Sequence, residues 1–557
     1  MSGGGEAATP GGDEIVRRIW ERDPDLWKPG DAGHAAVIRN RLGWLDVPVT
    51  MRERLAELTS LADAVRGAGF ADCVLLGMGG SSLCPEVLRT SFGPFAGFPV
   101  LHVLDTTDPD AITALERRLE LDRTLFIVAS KSGTTLETVS HLAHFWEAVT
   151  AAGVTDPGAH FVAVTDPGTP LATTARERRF RRIFENPPDI GGRYSALSFF
   201  GLVPAAVMGL DVARLLERAI AMRERCSAGT PPEANPALEL GMAMIRHHAA
   251  GRDKVTILAS PQIGAFSLWA EQLIAESTGK EGKGYIPIGA EPAGRPDVYS
   301  DDRLFVALCL GEPCHVVSHV RALTAADRPV VALELADPYD LGGEFFRWEM
   351  ATAIAAVPLG IDPFDEPNVK ESKDNTARVL EGFESAGGFP APPEPAAAGG
   401  GLRVYGGGPA PTAAEALVAF LDQVRPGDYV ALMAYVDPTE DHEEALQALR
   451  TAIRERERVA TTLGFGPRFL HSTGQLHKGG PNTGMYIQIT TQPRSDADIP
   501  GQRFSFAVLE RAQAEGDLQS LRAHGRRVIR IDIEGGLTSQ LECLTRAVRG
   551  EDAPTRG

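Results

Sequence analysis

Residues 125–138 read Leu-Phe-Ile-Val-Ala-Ser-Lys-Ser-Gly-Thr-Thr-Leu-Glu-Thr, and no other stretch limits the possible folds as tightly. The apolar run at 125–128 suits a short buried strand, and the pattern through Phe145 and Trp146 suits a helix. Between them Ser130, Lys131, Ser132, Thr134 and Thr135 occupy the turn. A strand-to-helix turn offers free backbone N–H groups and the positive end of a helix dipole. One hydroxyl there would be an ordinary N-cap. Four hydroxyls and a lysine so close together go beyond capping and suit a bound phosphate. The chain has no G-x-x-x-x-G-K-[ST] sequence, so the guest expected is a monophosphate rather than a nucleotide in a P-loop.

The same alternation recurs on both sides. Cys73-Val-Leu-Leu-Gly77-Met-Gly79-Gly80-Ser81-Ser82 reads as a strand running into a glycine turn. Strands are expected at 100–104, 124–129 and 161–164, with helices between them. A second alternating series follows, with strands at 254–259, 303–310 and 329–335 and helices at 264–278, 315–324 and 344–357. This pattern predicts doubly wound parallel sheets with ligands at the carboxyl ends of their strands. Residues 386–401 are rich in Pro, Gly and Ala and read as a linker. Beyond them a further α/β unit has strands at 429–435 and 485–489 and a charged helix at 440–461. The expected organisation is a helical arm at 1–50 that opens on a disordered stretch to about residue 12. Two α/β domains follow at 51–212 and 213–385, then the linker and a C-terminal α/β extension at 402–557.

A length of 557 residues accommodates several such units, and 43% hydrophobic with 23% charged residues is ordinary for a globular protein. The net charge of −19 disfavours nucleic acid or an anionic membrane surface as partner. A local site can still hold a small anion. The cysteines at 73, 84, 226, 309, 314 and 543 show no C-x-x-C spacing, so neither zinc nor a disulfide framework is expected. No uninterrupted apolar run approaches ~18 residues and the N-terminus lacks signal-peptide character, which together suit a cytoplasmic protein.

Other stretches carry candidate chemistry. The glycine turn at 77–82 fails as a dinucleotide fingerprint, because its third glycine is misplaced. It is either a merely tight turn or a place where backbone approaches a sugar phosphate. Gly191-Gly192-Arg193-Tyr194-Ser195 sits in a loop before a long apolar helix. Arg193 there is a surface cation or, better suited to its setting, an anion holder. Gln272 and Glu276 stand one helical turn apart, ahead of the glycine-lysine loop at 279–284. A lone helical glutamate is usually solvated; one that ends its helix at such a loop can face a cleft as a base. His471 and His477 lie in a glycine-rich loop and are either structural or part of a site.

In this order and spacing, Gly77–Ser82, Ser130–Thr138, 191–195, 272–280 and 363–373 resemble the glucose-6-phosphate isomerase family of the sugar isomerase fold. The likeness is closest to the isomerase part of fused transaldolase–phosphoglucose isomerases, and no transaldolase barrel is expected here. The resemblance implies two doubly wound sugar isomerase domains plus the extension. It also implies an aldose–ketose isomerase of glycolysis and gluconeogenesis, acting through a cis-enediolate and needing no metal or other cofactor. Its partner would be a small sugar phosphate, and its assembly a homodimer. By position, Gly80 and Ser81 would approach the sugar. Ser130, Lys131, Ser132, Thr134 and Thr135 would hold phosphate, with Glu137 near the catalytic water. Arg193 would stabilise the enediolate, and Glu276 would be the base, with its pKa nearer neutral than a free carboxylate's. Gln272 would position phosphate or base, and Lys373 would assist ring opening. Alternatives are a dual phosphoglucose/phosphomannose isomerase and a non-catalytic sugar-phosphate-binding regulator, which would have no need of both Glu276 and Arg193.

Two departures stand out. Glu366 occupies the place of a phosphate-side glutamine. Asp297-Val298-Tyr299-Ser300 carries tyrosine where the family's ring-opening histidine belongs, while Phe469-Leu470-His471-Ser472-Thr473-Gly474-Gln475 resembles the missing stretch far downstream. The expectation is that the region after the linker partly duplicates the second domain and returns the histidine as His471, in the same subunit or across a dimer; the alternative is chance similarity in an accessory domain.

Overall fold

The computed structural model describes residues 10–311 and 316–551. Most of the expected disordered leader, together with Cys314 and the start of the helix expected at 315, lies outside these residues. Gly12 already opens a helix, Gly12–Trp20.

Among the described residues, three sheets organise the chain. The first holds β1 (Asp72–Gly77), β2 (Val100–Leu104), β3 (Thr124–Ala129), β4 (Phe161–Thr165) and β5 (Arg182–Glu185), all parallel, in the order β2-β1-β3-β4-β5. β3 and β4 are buried throughout, as parallel strands covered on both faces require. The order reverses between β1 and β3, whose ends pair at Gly77 and Ala129. The glycine turn and the hydroxyl loop therefore leave the sheet side by side, at the switch point where such folds bind ligands.

The second sheet contains β6 (Lys254–Ala259), β7 (Ile286–Ile288), β8 (Arg303–Leu310) and β9 (Val330–Leu335) in the order β7-β6-β8-β9. The helix Phe266–Thr278 crosses from β6 to β7 and is buried at every position except Leu268. The third sheet contains β10 (Ala397–Gly399), β11 (Leu402–Tyr405), β12 (Tyr429–Tyr435), β13 (Ala460–Phe465), β14 (Gly484–Thr491) and β15 (Arg527–Ile533), in the order β10-β11-β15-β14-β12-β13. Its four parallel strands, numbered from β12, follow the same 2-1-3-4 order as the second sheet. Tyr299 lies between the second and third strands of one sheet, and His471 between the second and third strands of the other.

Two expectations need correction. The linker is shorter than 386–401, because Ala397–Gly399 pairs antiparallel with Leu402–Tyr405. Gly399, Gly400 and Gly401 all have positive φ and make the reversal that only glycine takes readily. The charged helix ends at Glu457 rather than 461, with Arg458 in the left-handed region, and 460–465 is strand. β-branched Val459, Thr461 and Thr462 favour the strand there.

Buried charge fastens the third unit to the second. Arg303 pairs with Glu291 at 2.6 Å and donates to the Val459 carbonyl. Glu291 also accepts from the backbone and hydroxyl of Thr461. Arg450 reaches the carbonyls of Gly289 and Ala290. Arg468 makes a two-pronged pair with Asp105 of the first unit, at 2.7 and 2.8 Å. The N-terminal helices are packed in as well: Trp27 donates to the Ala353 carbonyl, and Trp44 stacks on Tyr194 with ring centroids 5.3 Å apart.

Candidate active site

The loop after β3 is shaped by its own hydroxyls. Buried Ser130 shares a hydrogen bond with Thr135 at 2.9 Å and accepts one from the Gly133 backbone. Gly133 has φ +67°, and a Cβ there would stand 2.8 Å from the Thr169 side chain. Ser132 and Thr134 bond to each other and are exposed, while Thr135 is the N-cap of the helix Leu136–Ala151 without capping it by side chain. The first N–H groups of that long helix thus face the loop, an arrangement suited to phosphate. The Lys131 ammonium is turned to Asp166 at 2.5 Å and to the Pro188 carbonyl, so its charge is already balanced.

The glycine turn makes a three-way approach. A Cβ on Gly79 would meet the His471 carbonyl at 2.5 Å and Gln272 Nε2 at 2.9 Å. One on Gly80 would meet the Gly192 carbonyl at 2.1 Å. Ser81 closes this short turn. The glycines are needed because segments of all three units touch here.

Gln272 and Glu276 project from the buried crossover helix. Gln272 Nε2 donates to the His471 carbonyl at 2.7 Å and to Glu276 Oε2 at 3.3 Å. Burial pushes the Glu276 carboxyl up to about 7, against the pull of nearby Arg193 and with a further push from Glu366. Arg193 is itself buried, with Nη1 3.7 Å from Glu276 and 3.2 Å from Glu366. Its other donors are taken by Ser277 Oγ and by the carbonyls of Pro363 and Asp365. Lys280 holds that same turn, donating to the carbonyls of Asp362 and Asp365 and to the Asp365 carboxylate. Glu366 therefore faces the arginine rather than solvent alone.

His471 arrives from the third unit. Its Nε2 lies 2.8 Å from Glu137 Oε1. Burial acts to raise the Glu137 pKa, yet the charge and hydrogen bond of His471, with the charge of Lys373, bring it down to about 2. Lys373 is exposed, on the helix Pro367–Ala386. His477 sits elsewhere, buried between Phe469 and Tyr486, where burial keeps it neutral. Tyr299 is also remote: its hydroxyl accepts from the Gly294 backbone, and its ring packs under Arg303 and Arg454.

The structure thus connects Glu137, His471, Gln272, Glu276 and Arg193 through successive contacts, and Glu137 lies two residues beyond Thr135, which closes the Ser130 loop. Gln513 was not foreseen. It reaches Glu137 at 2.7 Å from the helix Phe506–Ala523, where nothing in the local sequence marks it. The arrangement offers a buried carboxylate of near-neutral pKa, a fixed cation beside it and a histidine–carboxylate pair. Such a set suits proton transfer next to a developing oxyanion.

Residues 47–284 match the family described as phosphoglucose isomerase, a span that includes the Gly77, Ser130, Arg193 and Glu276 segments but neither Lys373 nor His471. A glucose-6-phosphate isomerase from Rubrobacter xylanophilus is 31% identical over 398 residues, 61% of this chain and 90% of that protein. One from Thermus thermophilus is 35% identical over 400 residues, 64% of this chain and 93% of that protein. Among solved structures, a hypothetical protein from Thermus thermophilus superposes with a TM-score of 0.56 at 27% identity, covering 66% of this chain and 94% of that one. A glucose-6-phosphate isomerase from Chlamydia trachomatis shares the fold, with a TM-score of 0.52 at 21% identity over 66% of this chain and 78% of that one.

Proposed function

The chain belongs to the glucose-6-phosphate isomerase family, and we propose that this site carries out the reversible interconversion of glucose 6-phosphate and fructose 6-phosphate, a step of glycolysis and gluconeogenesis. The loop at Ser130–Thr135 and the helix N-terminus behind it hold the phosphate, with Gly80 and Ser81 against the sugar. Anchoring one end makes the proton transfer at C1 and C2 intramolecular. His471, paired with Glu137 and assisted by Lys373, opens the pyranose. Glu276 takes the proton from C2, leaving a cis-enediolate whose negative oxygen is met by Arg193. The hydrogen on O2 passes to O1 across the cis-enediolate, Glu276 returns the carbon-bound proton to C1, and O2 is left as the ketone of fructose 6-phosphate with O1 as its hydroxyl. A homodimer and a cytoplasmic location belong to the same reading and rest on the family resemblance. No helix among the described residues is long and apolar enough to cross a membrane.

The observation that carries this reading is the joint position of Glu276, 3.7 Å from Arg193 and 3.3 Å from Gln272, with its carboxyl pushed up to about 7. A coupled assay that converts fructose 6-phosphate and detects glucose 6-phosphate by its dehydrogenase tests it. Robust turnover by the wild type, lost in Glu276→Gln, is expected. Absence of turnover by the wild type overturns the reading.

A further inference from the structure

Glu137 Oε1 receives two hydrogen bonds from the third unit, one from His471 Nε2 at 2.8 Å and one from Gln513 Nε2 at 2.7 Å. The amide of Gln513 is held at its other end, where its Oε1 accepts from the Thr107 hydroxyl at 2.7 Å. Gln513 is only 3% exposed, and Thr107 and Glu137 are buried with it. The chemistry fixes the amide's direction. An ionised carboxylate only accepts, so the NH2 must face Glu137, and the carbonyl is left for the hydroxyl of Thr107. The relay Thr107–Gln513–Glu137–His471 thus gives that one carboxylate oxygen a second, anchored donor besides the imidazole.

We propose that Gln513 is a positioning residue for ring opening: its amide locks the Glu137 carboxylate so that Oε1 presents to His471 in one orientation. The inference rests on the reading of His471 as the ring-opening group, and adds to it a residue that touches no substrate. Without the amide, the carboxylate can turn about its last torsion and share the imidazole N–H between both oxygens. The imidazole then loses its single aim.

Three variants test it. Gln513→Met keeps the length of the side chain and removes the donor. It should lower kcat for glucose 6-phosphate about tenfold, the scale of one charge-assisted hydrogen bond, with KM within about twofold. The His471 Nε2–H proton resonance, identified by its loss in His471→Ala, should broaden through exchange with water. Thr107→Val should move both readouts the same way by less. Gln513→Glu discriminates further, because the carboxyl introduced can donate only when protonated. The ratio of its kcat to that of wild type should therefore rise as pH falls. Normal kcat and an unchanged resonance in a folded Gln513→Met would overturn the proposal, as would a loss accompanied by a matching rise in KM. If Gln513→Met does not fold, a pH-independent ratio for Gln513→Glu overturns it. Wild-type protein that fails to isomerise, or His471→Ala that turns over pyranose normally, would sink the parent reading instead. The resonance comparison would still report whether Gln513 holds the pair.

Discussion

The imidazole Nε2 of His471 stands 2.8 Å from Oε1 of Glu137, although 334 positions separate the two in the chain. Glu137 opens a helix of the first unit, while His471 comes from the loop between β13 and β14 of the third. Removing the imidazole should therefore affect one step in particular. His471→Ala is expected to lower turnover of the closed pyranose by about 10²-fold or more, while an open-chain substrate is processed at a near-normal rate. Equal, near-normal turnover of both would exclude His471 from the reaction.

Glu276→Gln keeps the hydrogen-bonding shape of the side chain and removes the base. Turnover should fall about 10²–10⁴-fold, the usual worth of general base catalysis. Binding of sugar phosphate, measured by calorimetry, should change little, because the proposed phosphate holder is the loop at Ser130–Thr135 and not Glu276. Retention of most activity would point to a different base.

The pH profile should carry the mark of Glu276. The base works only when ionised, so kcat/KM should rise with pH through an apparent pKa near 7, the value to which burial pushes it. Glu366 adds to that rise and also engages Arg193 at 3.2 Å. Glu366→Gln removes a like charge and frees the guanidinium for Glu276. The acid limb should move to lower pH, and KM should fall as a negative charge leaves the cleft. An unmoved limb would show that Glu366 does not act on the base.

Glu137 gives a stability signature of opposite sense. Its carboxyl is held down to about 2 in the folded chain against 4.5 for a free glutamate. The stability it contributes is present above about 4.5 and is lost as pH falls from there toward 2. Glu137→Gln should therefore narrow the gap to wild type in denaturant unfolding as pH drops through that window. A constant gap would mean the carboxylate is not stabilised as described.

Gly79→Ala should disable the site from within. Its Cβ would sit 2.5 Å from the His471 carbonyl at a φ of +55°, so backbone must shift on one side or the other. A loss of about 1–3 kcal/mol in stability is expected from the strained conformation. A larger loss of kcat should accompany it, through displacement of His471 and Gln272. Thermal unfolding and steady-state kinetics on the same preparation separate the two effects.

The segments that meet at the candidate site are legible in the sequence as local motifs, while the roles assigned to them remain those of the proposed reading. The hydroxyl loop and the glycine turn each sit where a strand runs into a helix, and the strand-helix alternation brings them to the carboxyl ends of β3 and β1. Arg193 follows a loop, and Gln272 and Glu276 share one helix face. His471 was legible only because Tyr299 broke a familiar stretch that reappears downstream. Lys131 shows what a local motif leaves out: a lysine among hydroxyls suggests phosphate, and only the fold reveals that Asp166, just after the next strand, also pairs with it. Gln513 left no local trace, because its importance comes from docking one helix against another unit, and nothing in its own helix registers that. The helix expected at 440–461 overruns the first two residues of the strand at 460–465, because the charged pattern runs up to Arg458 without a glycine or proline to stop it.

The matching strand order of the second and third sheets has a consequence for how the chain reaches working condition. Because the loop between β13 and β14 delivers the imidazole, a chain whose first two sheets form before the third docks would, on the proposed reading, have Glu137 in place but lack its histidine partner. Catalysis then serves as a completion signal: during refolding, turnover should appear after the secondary structure of the first two sheets has returned, in step with docking of the last.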